Sequence, residues 1–273
     1  MISVIIPLYN KSKYIKRAVE SILNQSFQNF EIIIVNQSGN SIDAIIAPYL
    51  IKFKEVVPEE RLSAPLARNY GASFSEGQYL LFMDDDALFI NMNYHLFNEL
   101  IEILLQGNYS VYVAQRGEIV ENNYLSHWPS QHEINIKNFP RFIIEWNIII
   151  KKSLFNKIGG FYNIGPGSKH LAQAGEAFIL IVRVLCLNFK VIKLAKILIA
   201  HPSLFQIDIQ KQKKYTYGAG YAIGYSVQFM TLSHKIYWTL RAIASGILQP
   251  NLYNYKIAGL FDGLKMRSPR QSL

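Results

Sequence analysis

The chain is predicted to fold as an α/β protein, a mainly parallel sheet flanked by helices, with a helical extension toward its C-terminal end. Strand-like apolar runs recur with helix-like segments between them, and one of those segments carries apolar residues at helical spacing. Half of the 273 residues are hydrophobic, enough for a sizeable core. Such alternation implies βαβ units, whose ligands gather at the carboxyl ends of the strands, so the residues just after each strand matter most.

The first run, Ser3 to Ile6, is followed by Ile15, Ala18, Val19, Ile22 and Leu23, which share one helix face, and then by a second run from Glu31 to Val35. Phe53 to Val57, Tyr79 to Met83 and Ser110 to Ala114 supply three further strands. From Arg116 to Pro140 the chain turns polar, with His127, Trp128, Pro129 and His132, and reads as a long excursion of the kind that shapes a binding cleft. A helix is expected from Gly175 to Leu187 and a strand pair around Lys190 to Ile199. This divides the chain into a domain of residues 1–210 and a basic, aromatic helical extension of residues 211–273. In the extension, Trp238, Ile243, Ile247 and Leu248 are expected on one apolar face beside Lys235 and Arg241, the mixture suited to an anionic membrane surface. Packing of that face against the rest of the protein is the alternative.

Lys and Arg number 28 against 19 Asp and Glu, and the net charge of +9 favours anionic partners: nucleotide phosphates, lipid headgroups or nucleic acid. No nucleic-acid-binding motif accompanies the basic residues, so nucleic acid is not expected as a partner. The single cysteine, Cys186, has no intrachain partner, which excludes a disulfide-stapled fold and fits a reduced, cytoplasmic setting. Met1 to Pro7 has neither a basic leader region nor a small-residue cleavage site and reads as the start of a strand. The uncharged stretch from Tyr215 to Ser233 is too polar for a good membrane span.

Three segments carry the chemistry. Asp84-Asp85-Asp86 follows the apolar run Tyr79 to Met83 directly, and three adjacent carboxylates at the end of a buried strand repel one another unless a cation compensates. Hard oxygen ligands suit Mg²⁺ or Mn²⁺, which keep positions open for phosphates; a solvated acidic turn is the other reading. Just ahead lies Ala67-Arg68-Asn69-Tyr70-Gly71, where the fork of Arg68 can reach a phosphate or a neighbouring carboxylate. In the opening Ile5-Ile6-Pro7-Leu8-Tyr9-Asn10, Pro7 is expected to end the first strand, leaving Tyr9 and Asn10 on a loop where a planar base could stack on Tyr9. Each of the last two segments also has a purely structural reading, a surface helix in one case and a turn in the other.

Together these segments resemble the family 2 glycosyltransferases of the GT-A fold, from residue 2 to about residue 230. Pro7, Tyr9 and Asn10 match the family's Pro-x-Tyr-Asn, Ala67 to Gly71 its Ala-Arg-Asn-x-Gly, and Asp84 and Asp86 its Asp-x-Asp. The resemblance implies a nucleotide-binding N-terminal half, with Asp84 near the ribose, Asp85 on the donor side, and Asp86 on a metal that bridges the diphosphate. Ile158-Gly159-Gly160-Phe161 resembles the family's Gly-Gly-Phe turn on the acceptor side. Ala200-His201-Pro202 resembles the segment that supplies a metal-ligand histidine, and Tyr217-Gly218-Ala219-Gly220 a Tyr-Gly-x-Gly segment of some members.

Two departures stand out. Where the family usually has Asp-Asp-Gly-Ser after the second strand, this chain has Asn36-Gln37-Ser38-Gly39; the side-chain oxygen of Asn36 can still accept the uracil N–H, without charge. Where the family has Gly-Glu-Asp and places its catalytic base, this chain has Gly175-Glu176-Ala177. Ala177 cannot take a proton, which leaves Glu176 as the expected base, or as a helix-start residue favoured by the helix dipole.

The resemblance therefore implies an inverting glycosyltransferase of surface polysaccharide synthesis. It would use a nucleotide-sugar donor, with a UDP-sugar expected, and Mn²⁺ or Mg²⁺ held by Asp84, Asp86 and His201. The acceptor would be a glycan or lipid-linked hydroxyl, and the setting cytoplasmic, including the inner face of the cell membrane. The alternative is a degenerate protein that binds nucleotide sugars without turnover, as Asn36, Gln37 and Ala177 would permit.

Overall fold

The computed structural model describes residues 1–10, 14–25, 29–42, 53–90, 96–120, 123–126, 130–202 and 208–266; His127 of the polar excursion and Arg267 and Arg270 of the tail lie outside them. The chain forms two compact units. The first comprises Met1–Leu62, Ala67–Gly160 and Phe189–Ser203, and the second comprises Ser63–Leu66, Phe161–Asn188 and Leu204–Leu273.

The first unit is built on one sheet. Its strands are β1 (Ile2–Leu8), β2 (Phe30–Asn36), β3 (Phe53–Val56), β4 (Tyr79–Phe82), β5 (Leu88–Ile90), β6 (Val111–Val120), β7 (Asn123–Ser126), β8 (His132–Ile134), β9 (Ile148–Lys151) and β10 (Val191–Pro202). The order is β3-β2-β1-β4-β9-β6-β10-β5, with β7 on β6 and β8 on β10. β3, β2, β1 and β4 are mutually parallel, as the βαβ rhythm predicts, and so are β6 and β10; β9 runs antiparallel between the two parallel sets. Ile2, Val4, Ile5, Ile6, Ile32, Ile33 and Ile34 are fully buried, as expected of near-continuous apolar strands covered on both faces. Helix α1 (Ile15–Leu23) lays Ile15, Val19 and Ile22 into this core. Helix α2 (Ala64–Ser73) comes so close to the sheet at Gly71 that a Cβ there would meet the Ile5 side chain at 2.6 Å. The polar excursion holds the outer half of β6 together with β7 and β8.

Three local expectations are revised. Pro7 does not end β1, which runs on through Leu8. Ile5 faces β4, since its carbonyl accepts from Met83 N–H, and Leu8 faces β2, since its carbonyl accepts from Gln37 N–H. Pro7 therefore faces the β4 side, but β4 pairs only as far as Ile5, so the N–H that proline lacks has no strand to meet. In place of a strand pair after Lys190 there is one long strand, β10, whose pairing with β6 shifts register between Lys193 and Leu198. β9 was not anticipated: Ile148 to Ile150 is a short apolar run that by length alone fits helix or strand.

The first unit also holds helices α3 (Leu96–Gln106) and α4 (Lys152–Lys157), and in the second unit α5 (Glu176–Cys186), α6 (Ile209–Ser226), α7 (Leu232–Ile247) and α8 (Pro250–Lys265) carry the structure. The extension is helical, as predicted. Its α6 and α8 touch backbone to backbone: a Cβ on Gly220 would fall 2.1 Å from the Lys256 carbonyl oxygen, and one on Gly259 2.1 Å from that of Tyr217. The predicted apolar face of α7 is split. Trp238 is buried and meets Phe178 edge-on at 5.1 Å, whereas Leu232, Ile236, Leu240, Ile247 and Leu248 are exposed. Among the described residues, no helix is long and apolar enough to cross a membrane.

Candidate functional site

The carboxyl ends of β1, β2 and β4 carry Pro7, Tyr9, Asn10, Asn36 and Asp84 to Asp86, while Arg68 stands on α2 and His201 on β10. After β4, the chain makes a turn closed by Ala87 N–H to Asp84 O and enters β5, which sets Asp84, Asp85 and Asp86 at the strand end. β5 pairs antiparallel with β10, with Leu88 opposite Ala200, so the next residue of β10, His201, is delivered beside the acidic turn. One strand pairing thus closes the long sequence gap between the triplet and its histidine.

His201 Nε2 lies 3.0 Å from Asp86 Oδ1 and 3.8 Å from Asp84 Oδ2. Ligand atoms of Asp84, Asp86 and His201 all fall within 4.8 Å of one another; Asp85 is not in that group. The other ring nitrogen, Nδ1, is 2.8 Å from the Pro202 carbonyl, which can only accept, so Nδ1 carries the proton and Nε2 faces the carboxylates. Trp146 stacks on the imidazole, with ring centres 5.5 Å apart and planes 18° apart. Burial disfavours the imidazolium, but the hydrogen bond and charge of Asp86, the charge of Asp84 and the Pro202 carbonyl outweigh it and raise the pKa to about 9. In this state a proton supplies the positive charge that the two carboxylates demand. The donor set, two carboxylates and an imidazole whose far nitrogen is fixed by a backbone carbonyl, fits a divalent cation such as Mn²⁺ or Mg²⁺.

Arg68, 3% exposed on α2, donates from Nη2 to Asp84 Oδ1 at 2.6 Å. Of the two partners the sequence offered it, the structure shows the carboxylate. The Gly-Gly turn is tied to the same segment: Gly160, at φ +68°, packs so near Asn69 that a Cβ would sit 2.6 Å from its side-chain oxygen.

Glu145, in the 3₁₀ turn Glu145–Asn147, adjoins this centre and was missed by sequence reasoning. Burial raises its pKa, and the charge of Asp84 adds to the shift, while Arg68 and His201 partly offset it. No motif marks it, and its only signal is an acidic residue among Phe142, Ile143, Ile144 and Trp146.

On the β1–β2 side, Tyr9 is 42% exposed and carries the Arg61 guanidinium 3.6 Å above its ring centre, and Asn10 is exposed beside it. Asn36 departs from the sequence expectation. Its side-chain oxygen accepts from both the N–H and the Oγ of Ser38, at 3.0 and 2.7 Å, so its two lone pairs are already engaged. Its Nδ2 donates to Asn40 O at 2.7 Å and to Glu55 Oε1 at 2.5 Å. Gln37, at the family's second aspartate position, accepts from Leu62 N–H at 2.6 Å and so pins the loop that carries Arg61.

Glu176 belongs to the second unit, where it opens α5 and is 1% exposed. Its carboxyl packs on Gly165, where a Cβ would lie 2.7 Å from Oε1; the φ of +115° at Gly165 also suits glycine. Ala177 is buried beside it. Gly218 and Gly220 of the Tyr-Gly-x-Gly segment pack against Ala174 and Lys256. His132 stands on β8, stacked on Phe142 with ring centres 5.4 Å apart.

The fold and the acidic centre define a GT-A-type α/β protein. The family model for glycosyl transferase family 2 matches residues 3–165, and the chain belongs to that family. Glycosyltransferase GlyG of Streptococcus pneumoniae is 30% identical over 178 residues, which cover 58% of this chain and 59% of the relative. The chain thus spans little more than half the length of the first curated relatives it matches. Among solved structures, S. aureus TarS in complex with UDP-GlcNAc superposes with a TM-score of 0.70 at 17% identity, over 95% of this chain and 81% of that one. The mannosyltransferase PcManGT from Pyrobaculum calidifontis, in complex with GDP-Man and Mn²⁺, superposes with a TM-score of 0.61 at 12% identity, over 98% of this chain and 88% of that one.

Proposed function

We propose that this protein is an inverting glycosyltransferase that moves a sugar from a nucleotide-sugar donor to an acceptor hydroxyl. The observation that carries the reading is the Asp84–Asp86–His201 group at the strand ends of a family 2 chain. When bound there, Mn²⁺ or Mg²⁺ would neutralise the negative charge of the departing nucleoside diphosphate. The chain's own residues have definite tasks around it. Arg68 holds Asp84 in place, the Pro202 carbonyl and Trp146 orient His201, and Tyr9 offers a ring on which a nucleobase can stack. Glu176 takes the proton of the acceptor hydroxyl as that oxygen bonds to the anomeric carbon and the bond to the diphosphate breaks. The names of the superposed structures, with UDP-GlcNAc in one and GDP-Man with Mn²⁺ in the other, support a nucleotide-sugar donor of this class. A glycan or lipid-linked acceptor in surface polysaccharide synthesis is the acceptor side of the same reading. A transfer assay with a panel of nucleotide sugars and Mn²⁺ tests it: sugar transfer that stops on chelation is expected, and a chain inert with every donor and acceptor contradicts it.

For the setting we propose contact with an anionic membrane surface through α7, where Leu232, Ile236, Leu240 and Ile247 recur on an exposed face of a strongly basic segment. Sedimentation with liposomes checks this. Binding to anionic vesicles is expected to exceed binding to neutral ones, and no binding to either contradicts it.

A further inference from the structure

The Asn36 network raises a specific question, since the amide that the family pattern would turn toward a nucleobase is already committed. Its orientation is not ambiguous. Ser38 N–H can only donate and the Asn40 carbonyl can only accept, so a flipped amide would set like against like at both contacts. The amide nitrogen therefore points to Glu55 Oε1. Glu55 pairs in register with Ile34, two residues before Asn36, so it lies on the same face of the sheet as Asn36. Leu8, the register partner of Asn36, is followed by the exposed ring of Tyr9. Tyr9, Asn36 and Glu55 thus stand at the carboxyl ends of three adjacent parallel strands.

We propose that Glu55 reads the nucleobase of the donor, with Asn36 as the positioning residue that fixes its carboxylate; this rests on the nucleotide-sugar reading above. Asn36 Nδ2 occupies Oε1, and among the described residues no partner meets Oε2. A carboxylate oxygen only accepts, so it selects a base with a protonated ring nitrogen. Uracil presents one such N–H, at N3, and the cytosine N3 carries none. Guanine presents its ring N–H beside an exocyclic amine, a pair best met by both oxygens of a carboxylate, one of which is already engaged. The arrangement favours a uridine diphosphate. The negative charge that the family's aspartate would bring on β2 is here brought on β3.

Calorimetry on the full chain with Mn²⁺ tests this, using UDP, N3-methyl-UDP, CDP, GDP and inorganic pyrophosphate as probes. The wild type is expected to bind UDP about 10- to 100-fold more tightly than N3-methyl-UDP or CDP, the range of one hydrogen bond to a charged group. Glu55→Ala and the isosteric Glu55→Gln should lose most of that preference while binding pyrophosphate like the wild type, which also shows that they fold. Asn36→Ala should erode the preference by a smaller factor. A Glu55→Ala variant that discriminates as the wild type does, or a wild type that prefers GDP or CDP, overturns the proposal and leaves the donor reading standing. A wild type that binds no nucleoside diphosphate with Mn²⁺ sinks both.

Discussion

His201 Nε2 stands 3.0 Å from Asp86 Oδ1, held there by the antiparallel pairing of β5 with β10 and by the grip of the Pro202 carbonyl on the opposite ring nitrogen. An acidic turn and a histidine remote in sequence become one centre through that pairing. Its charge balance depends on what neutralises the two carboxylates, and Arg68 already serves one of them.

Arg68 is buried, and Asp84 keeps about a quarter of its side chain exposed. Removing the arginine leaves Asp84 without its strongest compensating charge. Arg68→Ala should therefore destabilise the protein, by less than the about 3–5 kcal/mol typical of breaking a fully buried pair, because water reaches Asp84. Adding Asp84→Asn should recover part of the loss. Urea denaturation of the two single variants and the double variant checks this, and strictly additive losses would contradict the coupling.

Lys193 gives a pH signature independent of the centre. It is buried on β10, donates to the carbonyls of Ser130 and Leu194, and burial lowers its pKa to about 8. In the folded state it gives up its proton near pH 8, and in the unfolded chain near the ordinary lysine value of about 10.4. Between those values the unfolded state holds more protons, so this residue adds stability as pH rises through that window and costs stability below it. Lys193→Met should remove this part of the pH dependence. Melting curves of both proteins from pH 7 to 10 check it, and parallel curves would contradict the assignment.

In the proposed reaction Glu176 is the residue assigned to proton transfer. Glu176→Gln is expected to keep nucleotide binding and to lower turnover by roughly 10²- to 10⁴-fold, the range of general-base catalysis. Single-turnover transfer with saturating donor measures it. A rate indifferent to the substitution would move the base elsewhere, and Glu145, beside Asp84 and His201, is the next carboxyl to substitute.

The parallel half of the sheet was legible because β1, β2 and β4 are apolar runs buried on both faces, a pattern that survives without knowledge of their neighbours. The Asp84–Asp86 turn was legible for a similar reason, since adjacent carboxylates after such a strand need an explanation. His201 was found only through motif order, because a strand register that joins β5 to β10 leaves no local mark. Glu145 and Glu55 were not legible. Each is a single acidic residue in a short element, and its place depends on tertiary partners, Asp84 for one and Asn36 for the other. Trp238 misled for the converse reason: helical spacing says which residues share a face, but not which face finds a partner, and here Phe178 claims the indole.

The most direct measurement is calorimetric titration of UDP into the wild type and Asp86→Ala, each with Mn²⁺ and with a chelator, with circular dichroism confirming that both are folded. The wild type is expected to bind UDP tightly only with Mn²⁺. Asp86→Ala is expected to lose at least the about 10- to 100-fold in affinity that disturbing even the surroundings of a metal ligand costs. A folded Asp86→Ala protein that binds UDP with Mn²⁺ as tightly as the wild type would contradict the assignment of Asp84, Asp86 and His201 as the metal centre.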